Sequence, residues 1–335
     1  MGELCIGLVY DLLGSHPALP GAPVDADAEF EPESTLALLE AALRELGHAP
    51  LRLGNPHALL ARLARGERPP VAAVLSIAEG FGSRNREAWA PILLELAGIP
   101  CLGSDALSLC ASLDKCWARG RVSLAGVAVP WQCSLRSASE VDSLAIPVPF
   151  PLFVKPRWEG TAKGIRASSK VEDVAALARE VARVSRDYRQ PALVEAFVPG
   201  PEYTVSVVGH APPRALPVLQ RALERETGIG LHALERHARP GEPLAFELPG
   251  ALTPALEAEL QALALRAFAA LECLDFARAD FRLDAEGRPR FLELNPLPTF
   301  AADGSFGILA ELAGLRPEAL LAEVFAEALA RVGLA

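Results

Sequence analysis

Short apolar runs alternate with stretches whose apolar residues recur every three or four positions, and this alternation opens the chain. Leu4–Val9 is an unbroken apolar run, suited to a strand covered on both faces. Ser34–Leu46 carries Leu36, Leu39, Leu43 and Leu46 on one stripe, which predicts a helix stopped by Gly47. Strands near Pro50–Leu53 and Val71–Ile77, with a helix near His57–Ala64 between them, continue the series. Such alternation predicts a doubly wound parallel domain over residues 1–105. Ligands meet such sheets beyond the carboxyl ends of the strands. Two segments fall there: the polar Asp11–Glu33 loop, and Ala78–Glu87 with Glu79, Arg84 and Arg86. Position alone makes those three residues candidate substrate contacts, although a loop leading into a capped helix would look the same.

Ser104 or Asp105 can cap a helix expected to run through Leu113-Asp114-Lys115 toward Leu124. After a Ser/Ala/Pro-rich link, Pro151–Pro156 reads as a strand containing Lys155. Glu159-Gly-Thr-Ala-Lys-Gly164 is a small-residue loop whose exposed amides suit phosphate, although its spacing is not that of a Walker loop. A helix over Val171–Val184 and a strand over Ala192–Val198 complete a second unit, 106–200. In the third unit, 201–335, Glu202–Val208 alternates as a new strand and Leu216–Leu219 is a further strand candidate. Arg221–Pro240 is polar and is expected to be a mobile loop. Leu256–Glu272 has a helical stripe, and helices near Ile308–Ala313 and Pro317–Arg331 end the pattern.

Between these helices lies a charged hairpin, Phe276–Pro296, with Glu286-Gly287 as its expected two-residue turn. That turn sets the register by arithmetic, placing Asp280 opposite Glu293 and Arg278 opposite Asn295. All four side chains then share one face, and Ala279, Phe281, Leu283, Leu292 and Leu294 share the other. Opposed Cβ atoms sit ~4.5–5.5 Å apart, so two carboxylates would be adjacent and would need compensation. Mg²⁺ provides it, taking one or two protein carboxylates and completing its shell from phosphate and water. An exposed, solvated hairpin carries the same alternation.

Composition narrows the alternatives. The chain has 335 residues and a net charge of −10, with no long Lys/Arg cluster, which argues against a nucleic-acid or membrane partner. Six scattered cysteines suit a reducing cytoplasm better than disulfides or zinc. Lys is rare, so Lys115, Lys155, Lys163 and Lys170 stand out.

Together the motifs Leu113-Asp-Lys115, Phe153-Val-Lys155-Pro156, Glu159–Gly164, Glu195–Glu202, Arg278-Ala-Asp280 and Glu293-Leu-Asn295-Pro resemble the ATP-grasp superfamily. Within it they are most similar to the D-alanine–D-alanine ligase-like enzymes. The resemblance implies an α/β fold, α+β in its C-terminal part, enclosing ATP between two sheets. It implies that Lys115 and Lys155 contact phosphates and that Glu159, Thr161, Ala162 and Lys163 belong to a closing loop. Glu195, Ala196, Phe197 and Val198 would meet adenine, and Glu202 the ribose. Asp280, Glu293 and Asn295 would hold two Mg²⁺ ions. Arg278, Lys155 and Thr299 would act at the reacting centre, Thr299 standing where the family has an oxyanion-hole Gly. The implied reaction joins a small-molecule carboxylate to an amine through an acyl phosphate. A homodimer fits the resemblance. A degenerate ATP-binding regulator is the alternative reading.

The resemblance breaks at the substrate side. The Asp11–Glu33 loop matches poorly, and the Ser that should meet a substrate carboxylate falls at Gly304. The Lys of the lid has no counterpart in Leu234-Glu-Arg-His237. A substrate other than two D-alanines is therefore expected, with Arg84 or Arg86 as its carboxylate ligand.

Overall fold

The computed structural model describes residues 2–15, 21–235 and 244–334. Three main sheets, one to each unit, follow in chain order, and a two-stranded one accompanies the third. The first unit runs β1 (Cys5–Tyr10), α1 (Glu33–Glu45), β2 (Ala49–Gly54), α2 (Pro56–Ala64), β3 (Ala73–Ile77), α3 (Trp89–Leu96) and β4 (Cys101–Leu102). Its strands are parallel in the order β2-β1-β3-β4. β3 is wholly buried, which suits a sequence apolar at every position but Ser76.

The second unit holds α4 (Ala106–Leu113), α5 (Lys115–Leu124), β5 (Gln132–Leu135), β6 (Leu152–Pro156), β7 (Lys170–Val171), α6 (Val174–Tyr188) and β8 (Ala192–Ala196). Its antiparallel sheet has the order β5-β8-β6-β7. The single helix expected through Asp114 is instead two. Asp114 is extended at φ −81°, ψ 94°, and its carboxylate caps α5 by accepting from the Cys116 and Trp117 amides. Arg157 and the Trp158 indole hold that carboxylate from the far side. A local side-chain cap, held in place by residues distant in sequence, thus breaks an apolar pattern that reads as continuous.

The third unit has β9 (Glu202–Val208), β10 (Arg214–Ala215), β11 (Leu219–Arg221), β12 (Leu223–Glu224), α7 (Leu231–Glu235), β13 (Phe246–Glu247), α8 (Pro254–Ala270), β14 (Phe276–Leu283), β15 (Pro289–Asn295), α9 (Ser305–Leu312) and α10 (Pro317–Arg331). The sheet order is β10-β9-β14-β15, with β11 also on β9. Arg221–Glu235, expected to be loop, is therefore partly ordered as β11, β12 and α7, while the remainder of that expectation, residues 236–240, lies outside the described residues. The core explains why: Ile229, Ala233 and Leu234 pack with Phe153, a buried cluster spanning two units. The C-terminal helix returns to the first unit, where α10 packs Leu321, Val324 and Phe325 in one core with Leu36, Leu39 and Leu43 of α1.

The hairpin departs from its predicted turn yet keeps its predicted pairs. The chain reverses through a longer loop, in which the Asp284 amide donates to the Arg288 carbonyl and Gly287 takes φ +77°. That loop pairs Leu283 with Pro289 and Phe281 with Phe291. A register shift between Asp280 and Phe281 then restores Asp280↔Glu293 and Arg278↔Asn295. The bulge falls at Leu292, which leaves the core and lines the cavity, and Phe291 is buried in its place.

Candidate active site

One cavity of about 350 Å³ opens between the second and third sheets and extends to the carboxyl ends of the first. Two neighbouring strands of the second sheet and a helix bring charge to its middle. Lys155 projects from β6 and Glu195 from β8, with 3.1 Å between Nζ and a carboxylate oxygen. Arg119 of α5, fully buried, also pairs with Glu195 and donates to the Leu292 carbonyl. Burial pushes the Glu195 carboxyl up, but Arg119 and Lys155 overcome it and hold the group below its usual range. Burial also lowers the Lys155 ammonium, with Glu195 opposing.

The hairpin supplies the next cluster. Arg278 grips Asp280, Nη2 to Oδ2 at 2.8 Å, and the Thr204 hydroxyl donates to the other oxygen. Lys115, at the first position of α5, lies 3.3 Å from Glu293 and donates to the Glu159 carbonyl. Burial raises the Glu293 carboxyl, yet Lys115, Lys155 and Arg278 together hold it at about 2. Glu293 is thus ionised near neutral pH, and it faces the cavity with Asp280 and Asn295. Among the described residues no group of three or more His, Cys, Asp and Glu is placed to hold a metal alone. Two carboxylates and one amide fit Mg²⁺ when phosphate and water supply the other oxygens.

At the end between β8 and β9, Phe197, Val198, Ile229 and Ala233 form apolar walls, and Glu202 stands at the start of β9. Ala196 is absent from the cavity wall, because its amide is bound to the Trp131 carbonyl at the sheet edge. Arg282, across from Glu202, packs 5.3 Å over the Phe197 ring and ties down the Gly200 carbonyl. Burial raises the Glu202 carboxyl, Arg282 opposing.

The opposite end is acidic. Glu29, from the loop after β1, accepts from Arg86 Nη2 at 2.5 Å, Lys163 Nζ at 2.9 Å and the Gly160 amide at 2.6 Å. Asp25 of the same loop accepts from the Gly164 amide and the Tyr188 hydroxyl. The Glu159–Gly164 loop, with Thr161 and Ala162 in the left-handed region at φ +47° and +56°, is therefore clasped by the first unit. Glu31, Glu79, Glu87 and Asp303 line the same end. Glu31 is hydrogen-bonded to Thr299, and burial raises it.

Three sequence expectations fail here. Arg84 is exposed, lies over Trp158 and lines a separate surface pocket. Arg86 has a side chain 2% exposed and is bound to Glu29, itself 1% exposed, so it is not free to take a substrate carboxylate, and Arg84 stands outside the main cavity. Position in sequence could not distinguish a guanidinium aimed at ligand from one consumed by a buried partner. The missing hydroxyl is present one residue on: Ser305, at the start of α9, is 2% exposed and lines the cavity. Its Oγ has no hydrogen-bond partner. Glu29, Glu31, Glu87, Arg119, Thr204 and Arg282 were not singled out from sequence. Each gains its place through contacts between distant elements.

The family description "D-ala D-ala ligase C-terminus" matches residues 130–326. The chain belongs to the D-alanine–D-alanine ligase family. Among curated relatives of this family member, the uncharacterized protein y4sG of Sinorhizobium fredii is 31% identical over 306 residues, covering 88% of this chain and 87% of that one. A D-alanine–D-alanine ligase of Ectopseudomonas mendocina is 31% identical over 238 residues, covering 70% of this chain and 71% of its own. Two solved structures have the same fold. The VanG D-Ala:D-Ser ligase of Enterococcus faecalis superposes with a TM-score of 0.71 at 18% identity, covering 97% of this chain and 99% of its own. The D-alanine–D-alanine ligase of Bacillus anthracis, solved with ATP, gives 0.69 at 20% identity, with 98% of each chain covered. The fold is therefore the ATP-grasp fold expected from the motifs. No helix among the described residues is long and apolar enough to cross a membrane.

Proposed function

We propose that this chain is an ADP-forming ligase that activates a carboxylate with ATP and joins it to an amine. The observation carrying this reading is the Asp280–Glu293 pair, on adjacent strands and in one cavity with Lys115, Lys155 and Arg278. A carboxylate is a poor acyl donor until phosphorylated. Phosphoryl transfer needs its oxygens positioned and their charge neutralised.

In this reading Lys115 and Lys155 receive the ATP phosphates. They are already held at the cavity surface by Glu293 and Glu195. Asp280, Glu293 and Asn295 would hold Mg²⁺, which when bound neutralises phosphate charge. The Glu159–Gly164 loop covers the phosphates and excludes water, and its dock onto Glu29 and Asp25 keeps it closed. Val198 faces adenine and Glu202 accepts from the ribose hydroxyls. Arg278 stabilises the charge that develops as the amine attacks and phosphate leaves. Thr299 lies beside that centre, hydrogen-bonded to Glu31. Ser305 offers a hydroxyl to a substrate carboxylate, so a free amino acid is an acceptable acceptor, contrary to what Gly304 alone suggests.

The test is phosphate release from ATP and Mg²⁺ against an amino-acid panel, with the product mass determined. Release that requires an amino acid, together with a condensed product, is expected. D-Ala–D-Ala should form weakly. ATP binding without any stimulated release would favour the regulatory alternative.

A further inference from the structure

Most of the positive charge on the cavity wall is already committed. Lys115 is held by Glu293, Lys155 by Glu195, Lys163 by Glu29 and Glu159, and Arg278 by Asp280. Arg282 donates to the Gly200 carbonyl. Among the described residues, the one lysine or arginine left on the wall is Arg221, the last residue of β11. It is half-buried, and its guanidinium has no hydrogen bond and no ion pair among the described residues. Yet Arg221 stands directly opposite Glu202, where Cβ atoms lie ~4.5–5.5 Å apart. Burial raises the Glu202 carboxyl and Arg282 opposes it; Arg221 opposes it too, through space and without contact. A cation beside an acid that it does not grip is available to an incoming anion.

The sheet register indicates which anion. Along β9, Thr204 faces Asp280 and Leu219, and Glu202 faces Arg282 and Arg221. The row at Asp280 and the row at Glu202 are therefore two residues, about 7 Å, apart along the strand. Metal at Asp280 serves the β- and γ-oxygens of a nucleotide whose ribose meets Glu202. The phosphate joining that ribose to the rest of the chain falls between the two rows. Arg282 cannot serve it, being tied to the Gly200 carbonyl and packed over Phe197. We propose that Arg221 binds the α-phosphate of ATP. The inference rests on the placement of ATP in the reading above and adds a contact that the reading lacks. A guanidinium meets phosphate through two parallel N–H donors, a strong pairing once water is displaced. Arg221 thereby contributes to holding the nucleotide and not to transfer of its γ-phosphoryl group.

The test titrates adenosine, AMP and ADP into the full chain and into Arg221→Ala by calorimetry, adenosine by displacement of ADP. The variant should bind AMP and ADP about tenfold more weakly, the scale for lost hydrogen bonds to a charged group, and adenosine within about twofold. Arg221→Lys should recover most of the loss, because phosphate also accepts a point charge. The Tm of Arg221→Ala should stay within about 3 °C of the parent, since the side chain has no partner to lose. Unchanged AMP and ADP affinities would overturn the proposal. An adenosine loss equal to the AMP loss would overturn it too, by placing Arg221 on the sugar or in the fold. A loss for ADP with none for AMP would move it to the β-phosphate and overturn the assignment. Binding is the readout, so failure of the ligase chemistry and failure of this inference are distinguishable. Binding of none of the three by the unmodified protein would remove the placement of ATP, and this inference with it. In turnover, KM for ATP should rise about tenfold with kcat within about threefold, the signature of uniform binding. A fall in kcat at unchanged KM would put Arg221 at the reacting centre and overturn the proposal.

Discussion

The two ends of the cavity treat buried carboxylates in opposite ways. At the nucleotide end Glu195 has Arg119 and Lys155 from other elements, Glu293 has Lys115, and Asp280 has Arg278 of its own strand. At the first-unit end Glu29 has Arg86 and Lys163, whereas Glu87 has only Arg86 at 3.6 Å and Glu79 has no ion pair among the described residues. The first arrangement is preorganised for an anionic ligand, because the acids fix cations in place without neutralising the whole site. The second leaves negative charge exposed to the cavity. The sequence alone suggested the reverse at this end, an arginine pair awaiting a carboxylate. Arg86 is instead consumed internally, so the net sign of the site changes.

The comparison can be broken most severely at the reacting centre. Arg278→Ala should reduce kcat by about 10²–10³-fold with folding intact, the scale for losing one preorganised group that meets developing charge. Steady-state phosphate release measures it, and near-normal kcat would mean the charged face of the hairpin is not the reacting face. Next is Arg86→Ala, which leaves Glu29 in a dry site with Lys163 and the Gly160 amide and should cost about 1–3 kcal/mol of stability by denaturant unfolding. A loss under about 1 kcal/mol would show that the Glu29 clasp is not formed as described. Glu202→Ala should weaken ATP binding by about 1–3 kcal/mol in calorimetry, the cost of unpairing hydrogen bonds to a charged acceptor.

A pH effect sharpens the contrast between the ends. Burial raises Glu87 from 4.5 to about 7. Below the lower value both folded and unfolded chains hold the proton. Between the two values only the folded chain does, and above the upper one neither does. The stability this group contributes is therefore present at acid pH and lost as pH rises through about 7. Ligand-free protein should lose more Tm between pH 6 and pH 8 than Glu87→Gln does. Equal slopes would mean that Glu87 is solvated. The smallest effect belongs to Arg84→Ala, which removes an exposed group outside the main cavity and should leave kcat/KM within about twofold.

How much of this was legible beforehand follows the range of the contacts. The hairpin face was readable because pairing across a turn is local, although its correct register owes something to two departures that cancel. The turn is one residue longer on one side than the pattern suggested, and the bulge at Leu292 restores the lost step. The lysines were readable because their motifs are short. The break at Asp114 was not, since it depends on Arg157 and Trp158, more than forty positions away. Glu29 was hidden for the same reason, as its partners come from residues 86, 160 and 163. A polar loop with many acids gives no local sign of which one will be buried.

The central claim is that ATP is spent on the γ-phosphoryl transfer that activates a carboxylate. Quantifying both products of a turnover with the best substrate pair tests it most directly. The account predicts ADP and amide in equal amounts, with neither formed when the amine substrate, the carboxylate or Mg²⁺ is left out. AMP with pyrophosphate, or ADP accumulating with both substrates present and no amide, would contradict it.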